Sequence, residues 1–323
     1  DIETDLDNNT SRDAEAQTIV VDAVAGKASI ELVNTSTAED TEVTMQMNIT
    51  YTDADDANES HYVTFTTPYG WEVTDANGWT YMDMGTYTKD ISALVDTEAA
   101  LNGTDGRNDS VSVTIEAPTV IPPANSDVDA KGGWFNLKEA FATATVVELV
   151  TDDEITRFNN GDIDTDRGSI IVDAVVGNTT IESVSGSNIL EDGTLSDAKV
   201  EVTFTDIGDE NETYLVKFEL PEGWTADLTD SAWTGPNANG MMKLELTQAD
   251  LEAMSGEDYS GRDVSDTFVI DLPDLTPPAN SDADVTLNVI AKAFEDVTDI
   301  ETDLDNNTSR DAEAQTIVVD AVA

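Results

Sequence analysis

One short stretch constrains the whole chain. Ile19 to Glu31, IVVDAVAGKASIE, returns as Ile170 to Glu182, IIVDAVVGNTTIE, and begins again at Ile317 as IVVDAVA. Asp299 to Ala323 repeats Asp1 to Ala25 without a change, so the sequence is one full period plus an overlap, and the stretch at Ile170 divides that period into two related halves. Self-similarity at a fixed period marks a tandem array of structural modules. Each occurrence reads as an alternating β-branched strand, then Asp-Ala-Val, then Gly and a second alternating run. A strand closing one module thus passes through a short linker into the strand opening the next. The expected boundaries are residues 1 to 25 as the tail strand and linker of a preceding repeat, 26 to 176 as a first module and 177 to 323 as a second.

Between linkers, both halves run through the same order of short alternating strands. The first contains VTMQMNITY from Val43, YVTFT from Tyr62 and VSVTI from Val111; the second contains VEVTF from Val200, YLVKFEL from Tyr214 and TFVIDL from Thr267. A Pro-x-Gly-Trp turn follows in each, at Pro68 to Trp71 and Pro221 to Trp224. Each half has one helix-like piece. Thr247 and Asp250 have capping-box spacing, with Leu246 and Leu251 able to staple the first turn, and Asp90 takes the capping position before Ile91 and Leu94. About seven short strands per module, with turn signals between them, predict an all-β fold of two tandem antiparallel β-sandwich domains.

The chain carries 68 acidic against 14 basic residues, a formal charge of -54. Nucleic acid is excluded as a partner by repulsion, and no apolar run is long enough for direct membrane insertion. A hydrophobic content of 39% with five Trp supplies two ordinary cores, and with no Cys there is no disulfide or thiolate chemistry. Carboxylates at this density are tolerated either in screening salt or around divalent cations that neutralise them in clusters.

Two loops favour the second explanation, since acids at alternate turn positions present oxygens to one point, as calcium requires. They are Asp53, Asp55, Asp56 and Glu59, and Asp206, Asp209, Glu210 and Glu212; the plain alternative is a solvated hairpin tip. Asp162, Asp164 and Asp166 have the spacing of the first three ligands of an EF-hand loop, with Asp173 at the twelfth place. Arg167 stands where that loop needs Gly, so a looser calcium loop is the expectation. The matching stretch of the second half offers Asp299, Glu301, Asp303 and Asp305, or else a flexible acidic hairpin.

Taken in order, EDGT, TDIGDENET, LPEGW, LTQADLEAM, LTPPANSDADVTLNVIA and IVVDAVA in the second half, and EDTE, TDADDANES, TPYGW, ISALV, IPPANSDVDA and IIVDAVV in the first, resemble the extender repeats of giant calcium-dependent RTX-type bacterial adhesins. The resemblance covers nearly the whole chain and implies cadherin-like or immunoglobulin-like modules that space and stiffen a stalk. By the same analogy, Glu39 and Glu191 and the linker acids Asp22, Asp173 and Asp320 would meet Asp127, Asp129, Asp282 and Asp284 at module junctions, with Ca2+ as the cofactor. The family's Asp-x-Pro after the linker is replaced here by Gly26-Lys27-Ala28 and Gly177-Asn178-Thr179, and KGGW at Lys131 to Trp134 is an insert.

Enzymatic signals are weak. The one histidine, His61, is expected to face solvent, and duplication of every box in both halves speaks for architecture. Trp71, Trp79, Trp224 and Trp233 are expected in cores, with a carbohydrate platform as the alternative. The sequence is therefore read as a non-enzymatic, extracellular, cell-surface extender of an adhesin, partnered by neighbouring repeats and monomeric as a fragment. The alternatives are a surface-layer or filament glycoprotein of a halophile, given sequons such as Asn34 and Asn48, and a carbohydrate-binding module.

Overall fold

The computed structural model describes residues 24–54, 58–102, 110–126, 128–131, 139–149, 160–208, 212–229, 231–261, 264–295 and 307–322. The first half contains β1 (Ala28–Leu32), β2 (Thr35–Ala38), β3 (Gln46–Thr52), β4 (Glu59–Thr66), β5 (Glu72–Asp75), β6 (Thr80–Asp83) and β7 (Thr86–Asp90). Helix α1 (Ser92–Asn102), β8 (Ser110–Glu116), β9 (Thr119–Ile121), β10 (Ala140–Glu148), β11 (Gly161–Gly168) and β12 (Ile170–Asp173) complete it. The second half repeats the plan with β13 (Thr179–Ser185), β14 (Ile189–Leu190), β15 (Lys199–Phe204), β16 (Glu212–Glu219), β17 (Thr225–Asp227) and β18 (Met241–Leu246). It ends with α2 (Gln248–Ser255), β19 (Asp266–Asp271), β20 (Asp274–Thr276), β21 (Val285–Glu295), β22 (Thr308–Ile317) and β23 (Val319–Asp320).

Each half is an antiparallel β-sandwich. In the first, the sheet β1-β3-β8 faces the sheet β11-β10-β4-β7-β6; in the second, β13-β15-β19 faces β18-β16-β21-β22. The two-residue period of a strand puts one set of side chains between the sheets. Met47, Ile49 and Tyr51 of β3 thus meet Val63 and Phe65 of β4, all fully buried, while Val200, Val202 and Phe204 meet Tyr214, Val216 and Phe218 in the second half. Two separate cores result, one drawn from Ala28 to Ile170 and the other from Val176 to Val319. Small parallel pairs, β12 with β2 and β14 with β23, fix the closing strand of each half beside its own opening loop.

The helices start as their sequences predict. Thr247 and Asp250 form a reciprocal capping box, and Leu246 and Leu251 are buried beside it. Asp90 accepts hydrogen bonds from the Ser92 amide and hydroxyl at 2.9 and 2.7 Å, which hold its carboxyl below the usual carboxylate range, as the Thr247 bonds do for Asp250. Helix α1 runs on to Asn102, longer than the short piece the sequence suggests.

The stretch carrying Asp162, Asp164 and Asp166 corrects an expectation. It is strand β11, paired along its length with β10, and not a loop. Strand β11 ends one sheet and β1 ends the other, and no backbone ladder joins them. Instead the carboxylates of Asp162, Asp164 and Asp166 accept the amides of Ala28, Ile30 and Leu32 at 3.0, 2.9 and 2.8 Å. Alternate spacing on both strands makes this match possible: every second side chain of β11 meets every second amide of β1. The second half repeats the device, with Ser309 Oγ and Asp311 accepting from Thr179 and Ile181 at 2.8 Å, until a bulge between Ile181 and Ser183 ends it.

Removing the middle acceptor leaves the Ile30 amide unsatisfied, so Asp164→Ala should cost about 1–2 kcal/mol in urea unfolding. Asp164→Asn, which keeps an acceptor oxygen, should cost less than half as much. Equal losses for the two variants would show that these carboxylates do not act as acceptors.

Candidate functional site: acidic clusters at the module ends

Acids gather at both ends of each module. At the entry end, Glu59 opens β4 and Glu148 closes β10, and the register sets them directly opposite one another. Both are buried. Glu212 and Glu295 repeat this opposition on β16 and β21, also buried. One oxygen of Glu59 accepts the Gly26 amide at 2.7 Å, and the other lies 3.5 Å from His61 Nε2. In the second module Tyr214 stands where His61 does, and its hydroxyl donates to Glu212. Tyr51 stacks edge-on to His61 at 4.5 Å, and burial pushes its phenol well above the usual range. Asp53 and Asp206 sit at the turns beside these pairs in the left-handed backbone region, with φ of 61° and 58°.

The exit end joins three sequence boxes. Glu39 Oε1 accepts the Val175 amide at 2.8 Å, and the Glu39 amide donates to the Asp173 carbonyl at 2.9 Å. Asp129 Oδ1 accepts the Val172 amide at 2.9 Å while its other oxygen contacts Lys131. Asp40 accepts the Asn125 amide at 3.1 Å. The second module matches the three bonds from backbone amides to carboxylates: Glu191 with Val322 at 3.1 Å, Asp284 with Val319 at 3.1 Å and Asp192 with Asn280 at 3.1 Å. Glu39, Asp129 and Asp173 are buried, whereas Glu191 is half-buried and Asp282, Asp284 and Asp320 are exposed.

The linker is held from both sides. Val175 is tied to Glu39 of the first module, and the Asn178 amide donates to Thr205 Oγ1 of the second at 2.7 Å, so only Val176 and Gly177 lie between the anchors. Val176 belongs to the second core. Asn125 adds a direct bridge, its amide nitrogen donating to the Tyr259 and Gly261 carbonyls at 3.4 and 3.3 Å. Glycine after the linker is a matter of space. A Cβ on Gly177 would fall 1.7 Å from the Thr205 carbonyl oxygen, and one on Gly26 would fall 1.8 Å from that of Thr52.

Of the residues expected to ligate calcium, the structure brings Glu39, Asp129 and Asp173 to the exit end of the first module, and Asp53 and Glu59 to its entry end. Asp206 and Glu212 take the matching entry places in the second. Glu191, Asp282 and Asp284 occupy the second exit end, and Asp162, Asp164 and Asp166 stand apart on β11 as amide acceptors. Asp22, Asp55, Asp127, Asp209, Glu301, Asp303 and Asp305 lie outside the described residues.

Among the described residues, no three His, Asp or Glu side chains are gathered closely enough to hold a metal ion. The donor chemistry nevertheless fits a hard divalent cation. Each opposed pair offers carboxylate oxygens, the donor type that a hard divalent cation takes.

No protein-family model matches the chain, and no curated protein matches it. Similar solved structures include the titin Z1Z2 domains in complex with telethonin, 9% identical, covering 94% of this chain and 100% of that one with a TM-score of 0.30. The C-terminal fragment of the Streptococcus agalactiae major pilin GBS80 is 9% identical, with 92% of each chain covered and a TM-score of 0.29. A partial N-terminal region of enterococcal surface protein is 11% identical, covering 94% of this chain and 97% of that one with a TM-score of 0.24. At these values the likeness carries no functional argument.

Sequence reasoning missed Glu148 and Glu295. Their signal was parity: Ala140, Ala142, Ala144 and Val146 face inward, so Glu148 must too, and Leu287 to Ala293 point Glu295 inward in the same way. His61 is a correction, being fully buried on β4 and not solvent-facing in a loop. Trp79, Trp224 and Trp233 are core residues, while Trp71 is half-buried.

Gly177→Ala forces the linker away from Thr205, so calorimetry should show the second module losing about 2 kcal/mol while the first melts as before. A wild-type melting profile would mean that the close approach is not needed.

Proposed function

We propose that the chain is part of the stalk of a cell-surface adhesin, a non-catalytic spacer that holds a binding tip away from the cell. The observation that carries this reading is the junction. With Val175 anchored to one module, Asn178 to the next and Asn125 bridging them, the linker has too few free torsions to act as a hinge. Tandem modules joined this way add length without adding flexibility, which is what a spacer must do.

Calcium is the cofactor this reading assigns to the module ends. The opposed pairs Glu59 with Glu148 and Glu212 with Glu295 would offer it two carboxylates at each entry end, and Glu39 with Asp173 two at the junction, with backbone carbonyls and water making up the remaining ligands. The ion would supply positive charge where carboxylates oppose each other. The protein supplies the oxygens and fixes the strand ends that carry them. An extracellular setting, where calcium is plentiful and disulfides are not the device in use, belongs to the same proposal.

Binding at a hundredfold excess over the dissociation constant would add about 2.7 kcal/mol per site, or roughly 5–10 °C for modules of this size. Small-angle scattering should show a maximum dimension that is kept in millimolar calcium and falls, with the melting temperature, in EGTA. An identical envelope and melting temperature in the two buffers would rule calcium out as the stiffening agent.

A further inference from the structure

We propose that the first module carries a binding groove for a neutral saccharide. The groove encloses about 630 Å³ beside the Pro68 to Trp71 turn and is lined by Thr67, Tyr69, Trp71, Met84, Glu139 and Phe141. That volume suits a small ligand or a few sugar rings. Tyr69 and Met84 are 81% and 90% exposed, which for large apolar side chains on so acidic a surface calls for a reason. A second, smaller cleft of about 210 Å³ is also lined by Tyr69 and Trp71.

The second module is an internal control. Its strands have the same register, with Thr66 opposite Phe141 and Thr86 in one module and Glu219 opposite Met241 in the other. At the matched positions Tyr69 becomes Glu222, Met84 becomes Asn239, Glu139 becomes Thr286 and Phe141 becomes Asn288. The turn itself is kept, as Pro221-Glu222-Gly223-Trp224. The sandwich therefore does not need aromatic residues on this face.

The chemistry of the lining selects the ligand. Aromatic faces stack against the C–H face of a pyranose, while the Glu139 carboxylate and the Thr67 hydroxyl meet hydroxyls at its edge. Arg167 is already engaged, 3.9 Å from Glu139 and over the Phe141 ring at 5.9 Å, and a chain of charge -54 repels polyanions. An anionic ligand is therefore excluded, and a neutral sugar ring offers the apolar C–H face and edge hydroxyls that this lining can take up. An added peptide strand has no ladder to join here, because the Thr67 amide already donates to the Gly85 carbonyl at 3.0 Å and Thr66 pairs with Thr86.

The test is titration of the intact chain with neutral hexasaccharides of glucose, mannose and galactose, read by saturation-transfer NMR and calorimetry. Alginate oligosaccharide and an apolar Leu/Phe peptide serve as the alternatives. Saturable binding of a neutral sugar is expected, weakened at least tenfold in the double variant Tyr69→Glu, Phe141→Asn, whose side chains the second module already tolerates. The melting temperature of the first module should be unchanged in that variant. The proposal is overturned if no neutral sugar binds, if binding survives the double variant, or if alginate or the peptide binds instead. It is also overturned if the variant lowers the melting temperature without any sugar effect in the parent, because the groove is then packed by the chain's own residues.

Discussion

Side-chain oxygens, many of them carboxylates, accept backbone amides at the flanks and ends of these sandwiches, where the β-ladder stops. A sandwich has two open flanks, and each leaves a row of amides that must be paired or solvated. In the first module Asp162, Asp164 and Asp166 pair three of them on β1. At its ends Glu59 takes the amide of Gly26, Glu39 that of Val175, Asp129 that of Val172 and Asp40 that of Asn125. A carboxylate has no proton to donate and two oxygens to offer, so it suits a site where only donors remain. Much of the acidity that looks like a surface property therefore has local structural work at strand edges and linkers.

At the entry ends buried acids stand directly opposite each other on neighbouring strands, one of them, Glu59, with an oxygen on the Gly26 amide. Glu59 with Glu148 and Glu212 with Glu295 do this at matching places in two modules whose other residues have diverged. His61 in one and Tyr214 in the other then serve as different neighbours to the same pair.

Duplication separates what the scaffold requires from what it does not. The bonds that tie the three boxes at the exit end are reproduced residue for residue, as are the left-handed turns at Asp40, Asn125 and Asp53 by Asp192, Asn280 and Asp206. Those positions belong to the scaffold that the two modules share. The face beside Tyr69 is not reproduced, and its apolar side chains belong to the first module alone. A linker bonded on both sides in this way has few conformations open to it.

The sequence by itself determined the repeat, the all-β class, the inward faces of the long strands and the capping box at Thr247, because each depends on local periodicity or on residues a few places apart. That Glu39, Asp129 and Asp173 share a module end came from the resemblance to adhesin extender repeats and not from any pattern in the residues themselves. Only the tertiary structure decided that Asp162, Asp164 and Asp166 lie on a strand, since their spacing is equally that of a loop and of one strand face. Likewise, only it opposed Glu59 to Glu148 and buried His61, because cross-strand register joins residues far apart in the chain. Gly26 and Gly177 show the limit most plainly: what fixes them is a carbonyl oxygen from another strand, and no pattern within the linker records how close it comes.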